Sequence, residues 1–443
     1  MIRMGSGAGF SSDRLQPAVD LARHGKLDWL VFETIGERTL AFGHRDRQLN
    51  PDRGYNPHLA KRMRMVLRHC RENGTRIMTN MGVANVPAAA NIVLDVAREL
   101  GLDGLKVAIV EGDDVTEKMT DQTTLFDNNN CTIADVGRPL VGANVYLGTD
   151  AMIPAVDSGA DVIITGRVAD PSLFLAPLSH HYAWQQDDWD TLGRGTLVGH
   201  LMECGMQITG GYFADPGRKD VPRLADCGYP IAEVDAKGNA TITKLNTAGG
   251  AVTMQTVKEQ MLYEVHDPAS YLTPDVTADF STTAISETAP SRVHVSNATG
   301  RQRPDQLKVT VGFDGGFLGE AGVSYAGPGA ADRARLARDI LSDLLDRIPG
   351  ARGTYRIDLI GLNSVHATAH EATADSDDVR VRVAMRTAER EVVDMMLWEV
   401  EALLCCGPAG GGGYRGQISP SVITHSTMIE RDAVSPGVRI FTA

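Results

Sequence analysis

Aromatic residues make up only 5% of this 443-residue sequence, so ring packing cannot be the main device of its core. Disulfides have no support either. Six cysteines (Cys70, Cys131, Cys204, Cys227, Cys405 and Cys406) show no CxxC spacing, which points to free thiols in a reducing compartment, the cytoplasm. No run approaches the roughly 18 apolar residues of a membrane span, and MIRMGSGAGF at the N-terminus lacks the apolar stretch of a secretory signal. Basic residues are outnumbered, 43 against 56 acidic, for a net charge of −13. That field repels phosphate backbones and anionic lipid, which argues against nucleic acid and membrane as partners. A small anionic ligand remains compatible, because local arginines and helix N-termini override a global field. Nucleophile signatures are missing as well: there is no GxSxG elbow and no SxxK, so covalent catalysis is unsupported.

What the sequence does have is a globular composition, 43% hydrophobic and 22% charged, and enough length for two domains. Glycine is in surplus: 46 residues, where average usage would supply about 31. The surplus is clustered at residues 5–9, 210–211, 249–250 and 410–413.

Through residue 230 short apolar runs (2–4, 28–33, 76–80, 105–110, 141–146, 161–166) alternate with amphipathic segments such as 13–24, 57–73 and 87–100. This pattern predicts an α/β domain with a mostly parallel sheet, open or barrel-like. From 231 to 443 longer alternating strands appear, as in TITKL, LKVTVGF and VRVRVAM, separated by helical stretches near 251–264, 330–347 and 388–404. That texture predicts an α+β domain with a mixed sheet, ending in a glycine-rich loop. Residues 267–305, rich in Pro, Ser and Thr, read as an irregular surface excursion.

In parallel α/β sheets ligands sit outside the carboxyl ends of the strands. Those ends carry Glu33 and Thr34, Asn80, then Glu111, Asp113 and Asp114, Asn144, and Arg167 with Asp170. If 33–47 is helical, Glu33, Glu37 and His44 share one face, which would pair carboxylates with an imidazole for acid–base work. The Glu111-Gly112-Asp113-Asp114 carboxylates would suit Mg2+ if any metal, but their spacing matches no dedicated cage, and no cofactor is required by these residues. The turn GSGAGFSSDR offers Gly7 and Gly9 to a ligand, without the GxGxxG of a dinucleotide fold or the GK[ST] of a P-loop. Gly249 and Gly250, before a helix opened by Thr253 and Thr256, and Arg415 in CCGPAGGGGYRG are further candidates for holding an anionic group. His200 and Glu203, at i and i+3, read as a buried hydrogen-bonded pair or a domain hinge rather than a ligand set.

GSGAGF, DWLVFETIGE, ITGRVADPSL, GHLMECGMQITGGYFADPGRKDVP, EQMLYEVHDPASYLTPDV and CGPAGGGG together resemble the acyclic terpene utilisation (AtuA-like) family, over roughly residues 2–436. The resemblance implies a bacterial catabolic protein, in a family named for degrading acyclic terpenes through CoA thioesters. Longer members carry a further small C-terminal domain, so the resemblance also suggests a separately encoded small subunit.

Together these features lead to an expected hydro-lyase acting on a hydroxy acid or acyl-CoA. Glu33, Glu37 and Glu111 are the acid–base candidates, and Gly7, Gly9, Asn80, Arg167, Asp170, Gly249, Gly250 and Arg415 the substrate-holding ones. The expected partners are a small carboxylate or CoA-thioester substrate and further copies of the chain in a homo-oligomer. A noncatalytic acyl-CoA-binding or scaffold subunit is the alternative.

Overall fold

The computed structural model describes residues 1–365 and 376–443. The chain forms two compact units: Met1–Gly137, Val141–Gly312 and Thr424–Ala443 in the first, Arg138–Leu140 and Phe313–Ile423 in the second.

The first unit is built on an open ten-stranded sheet. Its centre is parallel, in the order Ile2–Ala8, Trp29–Phe32, Arg76–Thr79, Val162–Thr165, Lys106–Glu111. WLVF and VIIT are buried at every position, as parallel strands covered on both faces require. The helices Gln16–His24, Leu59–Asn73 and Val86–Glu99 lay Leu21, Met63, Val66 and Val93 against Leu30, Phe32 and Ile164. Their ends follow local chemistry. Asn85 caps Val86–Glu99 by accepting from the Ala88 amide, Pro87 sits in its first turn, and Gly74, at φ 68°, stops Leu59–Asn73.

Antiparallel strands flank this centre, so the sheet is mixed. Pro230–Val234 pairs with Ile2–Ala8 and is followed outward by Ala240–Lys244, Arg292–Ser296 and Ala284–Ala289, while Gly437–Thr442 pairs with Lys106–Glu111. Residue 230, where the sequence texture changes, therefore lies inside the first unit, because the alternating strands that follow extend the same sheet. Two further expectations change. Leu140–Val145 leaves the parallel sheet to pair with Gln306–Ala326. Residues 267–305 are not irregular: they hold the hairpin Ala284–Ala289/Arg292–Ser296 and the small sheet of Tyr271–Leu272, Thr277–Asp279 and Thr299–Arg301. Strands of two to six residues are too short to show a period in the sequence.

The second unit is α+β. Its sheet has the order Tyr355–Ile360, Asp378–Thr387, Gln306–Ala326, Gly412–Glu430, the last two contributing only their residues within 313–423, with antiparallel pairing of the first three. Val379, Val381, Val383 and Met385 are buried, as period-two alternation demands. They pack with Ala334, Ala337 and Leu341 of Ala330–Leu345 and with Val393, Met396 and Val400 of Arg390–Cys406. The six cysteines are free. Among the described residues no helix is long and apolar enough to cross a membrane.

Candidate active site

Three neighbouring parallel strands of the first unit end at Phe32, Thr79 and Thr165, and the residues that follow them turn over one edge of the sheet. A cavity of about 660 Å³ opens there, lined by Gly9, Glu33, Arg167, Asp170, Glu203 and Glu264 among others.

Glu33 leaves the strand Trp29–Phe32 and is buried. Its Oε1 accepts from Asn80 Nδ2 at 2.9 Å and from the Ile35 amide at 2.7 Å, so both bonds fall on one oxygen. Asn80, at the end of the next strand, accepts the Thr34 amide on its own carbonyl oxygen. Burial and the nearby Asp170 push the Glu33 carboxyl well above the usual range, against the pull of Asn80, Arg167 and the Ile35 amide.

Arg167 is the cation among these carboxyl groups, and it is 3% exposed. Nη1 donates to the Ile35 carbonyl at 2.6 Å, and Nη2 reaches Asp170, with a 3.3 Å hydrogen bond to Oδ2. Oδ1 is a 3.1 Å ion-pair contact of the same nitrogen but is off the hydrogen-bonding direction, so it has no bonded partner. The guanidinium lies over the Tyr146 ring, 4.0 Å from its centroid, and Nε has no partner. Burial would lower its pKa, but Asp170, Tyr146, Glu33 and Glu37 raise it, so it stays charged. Its backbone is held too. The Arg167 amide donates to Asp113 Oδ2 at 2.7 Å, which also takes Asn144 Nδ2 at 2.8 Å, and Asn144 Oδ1 pairs with His44 Nε2. Burial pushes Asp113 up to about 6.

Glu203 arrives from the helix Trp189–Glu203. Its Oε1 shares a 2.9 Å hydrogen bond with His200 Nδ1, and its Oε2 is buried without a partner. His200 stacks on Phe280 and is tilted against Tyr271. Burial lowers the imidazole to about 4, while burial, Asp170 and Glu264 raise Glu203 well above the carboxylate range. Burial thus favours the uncharged form of both members of the pair. Glu37 differs: burial would raise it, but Arg167, its own backbone amide, Lys308 and the Tyr146 hydroxyl hold it below its ordinary value.

The sequence-derived set is therefore only partly gathered here. Glu33, Glu37, Arg167, Asp170 and Gly9 line the cavity, and Asn80 stands behind Glu33. Gly9 fits a tight spot, since a Cβ would come within 2.3 Å of the Cys204 carbonyl carbon; Gly7 lies against the Phe32 ring. Glu111 does not join them: its carboxylate is bound by both Arg439 Nε and Nη2, on the neighbouring antiparallel strand. Gly249 and Gly250 pack on the backbones of Arg223 and Thr209 and are not part of this cavity. Thr253 and Thr256 bond each other in a capping box, which satisfies the helix end expected to hold an anion. Arg415 belongs to the second unit and donates to the Tyr414 carbonyl. The expected helix over 33–47 begins only at Glu37, so Glu33 precedes it, and His44 bonds Asn144. Asp114 bonds Thr116 and Arg47, so Glu111, Asp113 and Asp114 have separate partners. Among the described residues no group of three His, Cys, Asp or Glu side chains is arranged to hold a metal. Sequence reasoning read Glu203 only as a structural pair and passed over Glu264.

The sequence model of the acyclic terpene utilisation family protein AtuA matches residues 2–440 of the chain. No curated protein matches it.

Proposed function

The chain belongs to the acyclic terpene utilisation family, and from that premise we propose that it is a catabolic enzyme, a hydro-lyase adding or removing water beside the carbonyl of a hydroxy acid or its acyl thioester. One observation carries this reading. Glu33 and Glu203 are buried and Asp170 half-buried around Arg167 in one cavity, with Glu33 and Glu203 both raised well above the carboxylate range. Three carboxyl groups crowded around one cation disfavour full ionisation of the set, which favours a proton retained among them.

The roles follow from hydrogen bonding. Two amides stabilise the carboxylate form of Glu33, which makes it the base for the proton next to the carbonyl. Glu203 bonds a neutral imidazole and is raised by burial, Asp170 and Glu264, which suits it to be the acid for the departing hydroxyl. Arg167, with an unpartnered Nε–H, stabilises the carbonyl oxygen as negative charge develops. Glu37, held ionised by Arg167 and Lys308, tunes the field rather than transferring the proton.

The test is mass-spectrometric detection of gain or loss of one water on a panel of β-hydroxyacyl and α,β-unsaturated acids and thioesters. Turnover that disappears in Glu33→Gln and Glu203→Gln supports the assignment. Tight binding with no conversion would favour a noncatalytic acyl-binding subunit.

A further inference from the structure

Four buried residues on four separate elements form one hydrogen-bonded line behind the catalytic cavity. His44 is on the helix Glu37–Leu49, Asn144 on the strand Leu140–Val145, Asp113 follows Lys106–Glu111, and Arg167 follows Val162–Thr165. Burying polar side chains costs free energy that apolar packing avoids, so the stability of the core does not account for such a line. Glycine makes room for it at both ends. A Cβ on Gly142 would lie 2.3 Å from His44 Cγ, and one on Gly166 would lie 2.4 Å from Asp113 Oδ2.

Chemistry fixes the polarity of the line. The Arg167 amide can only donate, and Asp113 Oδ2 accepts it at 2.7 Å. A carboxylate only accepts, so Asn144 presents Nδ2 to the same oxygen, at 2.8 Å. That orientation turns Asn144 Oδ1 toward His44, whose Nε2 must therefore carry the hydrogen. The line thus begins at an imidazole donor and ends on the backbone of the catalytic cation. It anchors the base of the Arg167 side chain, while Ile35 and Asp170 hold the guanidinium. Its two ends reach different cavities of the first unit: His44 lines one of about 810 Å³ with Arg47, Asp114 and Thr116 among others, and Arg167 lines the catalytic one.

We propose that His44 is a positioning residue for Arg167, acting through Asn144 and Asp113 as a hydrogen-bond donor and not as the acid–base partner of Glu33 and Glu37. The proposal rests on the reading of Arg167 as the group that stabilises the carbonyl oxygen.

The test uses the full chain labelled with 15N-arginine, with the Nε–H resonance of Arg167 assigned by its loss in Arg167→Lys. His44→Phe keeps a ring against Gly142 and removes the donor, His44→Gln restores an N–H, and Asn144→Ala cuts the line in the middle; thermal melting shows which variants are folded. The resonance should shift in His44→Phe and in Asn144→Ala and return toward its wild-type position in His44→Gln. In hydration of the crotonyl thioester of N-acetylcysteamine, His44→Phe should lower kcat about tenfold. KM should stay within about twofold, because Arg167 acts on charge that develops in the transition state. His44→Gln should recover most of the rate. A resonance unmoved in both His44→Phe and Asn144→Ala, or a His44→Gln variant as impaired as His44→Phe, would overturn the proposal. A resonance that shifts as expected in a protein that hydrates no thioester would leave the positioning role in place and remove the hydro-lyase reading. Hydration at the wild-type rate in His44→Phe, with the resonance unmoved, would do the reverse.

Discussion

Asn80 braces two residues of the neighbouring strand end at once: its Nδ2 donates to Glu33 Oε1 at 2.9 Å while its Oδ1 accepts the Thr34 amide at 2.8 Å. The position and charge of Glu33 thus depend on a side chain 47 residues further along the chain. Asn80→Asp places a second carboxylate against Glu33 and should shift the basic group of the pH–rate profile to higher pH. Asn80→Ala, which removes the donor, should slow turnover by about tenfold to a hundredfold, a loss of roughly 1–3 kcal/mol. An unchanged profile in both variants would show that Glu33 does not titrate in the reaction.

Arg167 is buried and tied to Ile35, Asp170 and the Tyr146 ring. Arg167→Met leaves Asp170 without its cation and should destabilise the fold by about 3–5 kcal/mol. Arg167→Lys keeps the charge but cannot reach Ile35 and Asp170 with the same fork, and should fall between. Urea denaturation of the three proteins measures the order.

Two groups at the site give opposite pH dependences of stability. The folded-state pKa of His200 is depressed to about 4, against about 6.5 when unfolded. Between those values the unfolded chain binds the extra proton, so this contribution is present above pH 6.5 and lost as pH falls toward 4, by up to about 3 kcal/mol. Glu203 is raised, so its contribution is present at low pH and lost as pH rises through its folded-state value. Melting temperatures across pH should therefore show a shallower acid limb in His200→Asn and a shallower alkaline limb in Glu203→Gln.

Gly9 and Gly36 both line the cavity, yet only one is crowded. A Cβ at Gly9 would lie 2.3 Å from backbone, whereas one at Gly36 would meet nothing within 4 Å. Gly9→Ala should destabilise by about 1–3 kcal/mol, and Gly36→Ala should be close to neutral; thermal melts compare them.

The strand-end rule made much of the site readable, because Glu33, Asn80 and Arg167 each follow an apolar run that is too regular to miss. The same rule pointed to Glu111, and here it failed for a tertiary reason: the last strand, Gly437–Thr442, docks beside Lys106–Glu111 and brings Arg439 onto that carboxylate. Asn144 was read as part of the central sheet, but its strand pairs elsewhere and its side chain supports Asp113. Glu203 and Glu264 were beyond a linear reading. The i and i+3 spacing revealed the bond between His200 and Glu203, but only the packing of the chain shows that this acid faces a cavity built from the ends of earlier strands.

The most direct test of the central claim is conversion of an α,β-unsaturated acyl thioester in deuterated water, followed by mass spectrometry, with wild type, Glu33→Gln and Glu203→Gln side by side. The account predicts that wild type adds water and leaves one deuterium on the carbon next to the carbonyl. Both variants should remain folded and lose at least about two orders of magnitude in rate, the usual weight of a general acid or base. Hydration at the wild-type rate in either variant would contradict it.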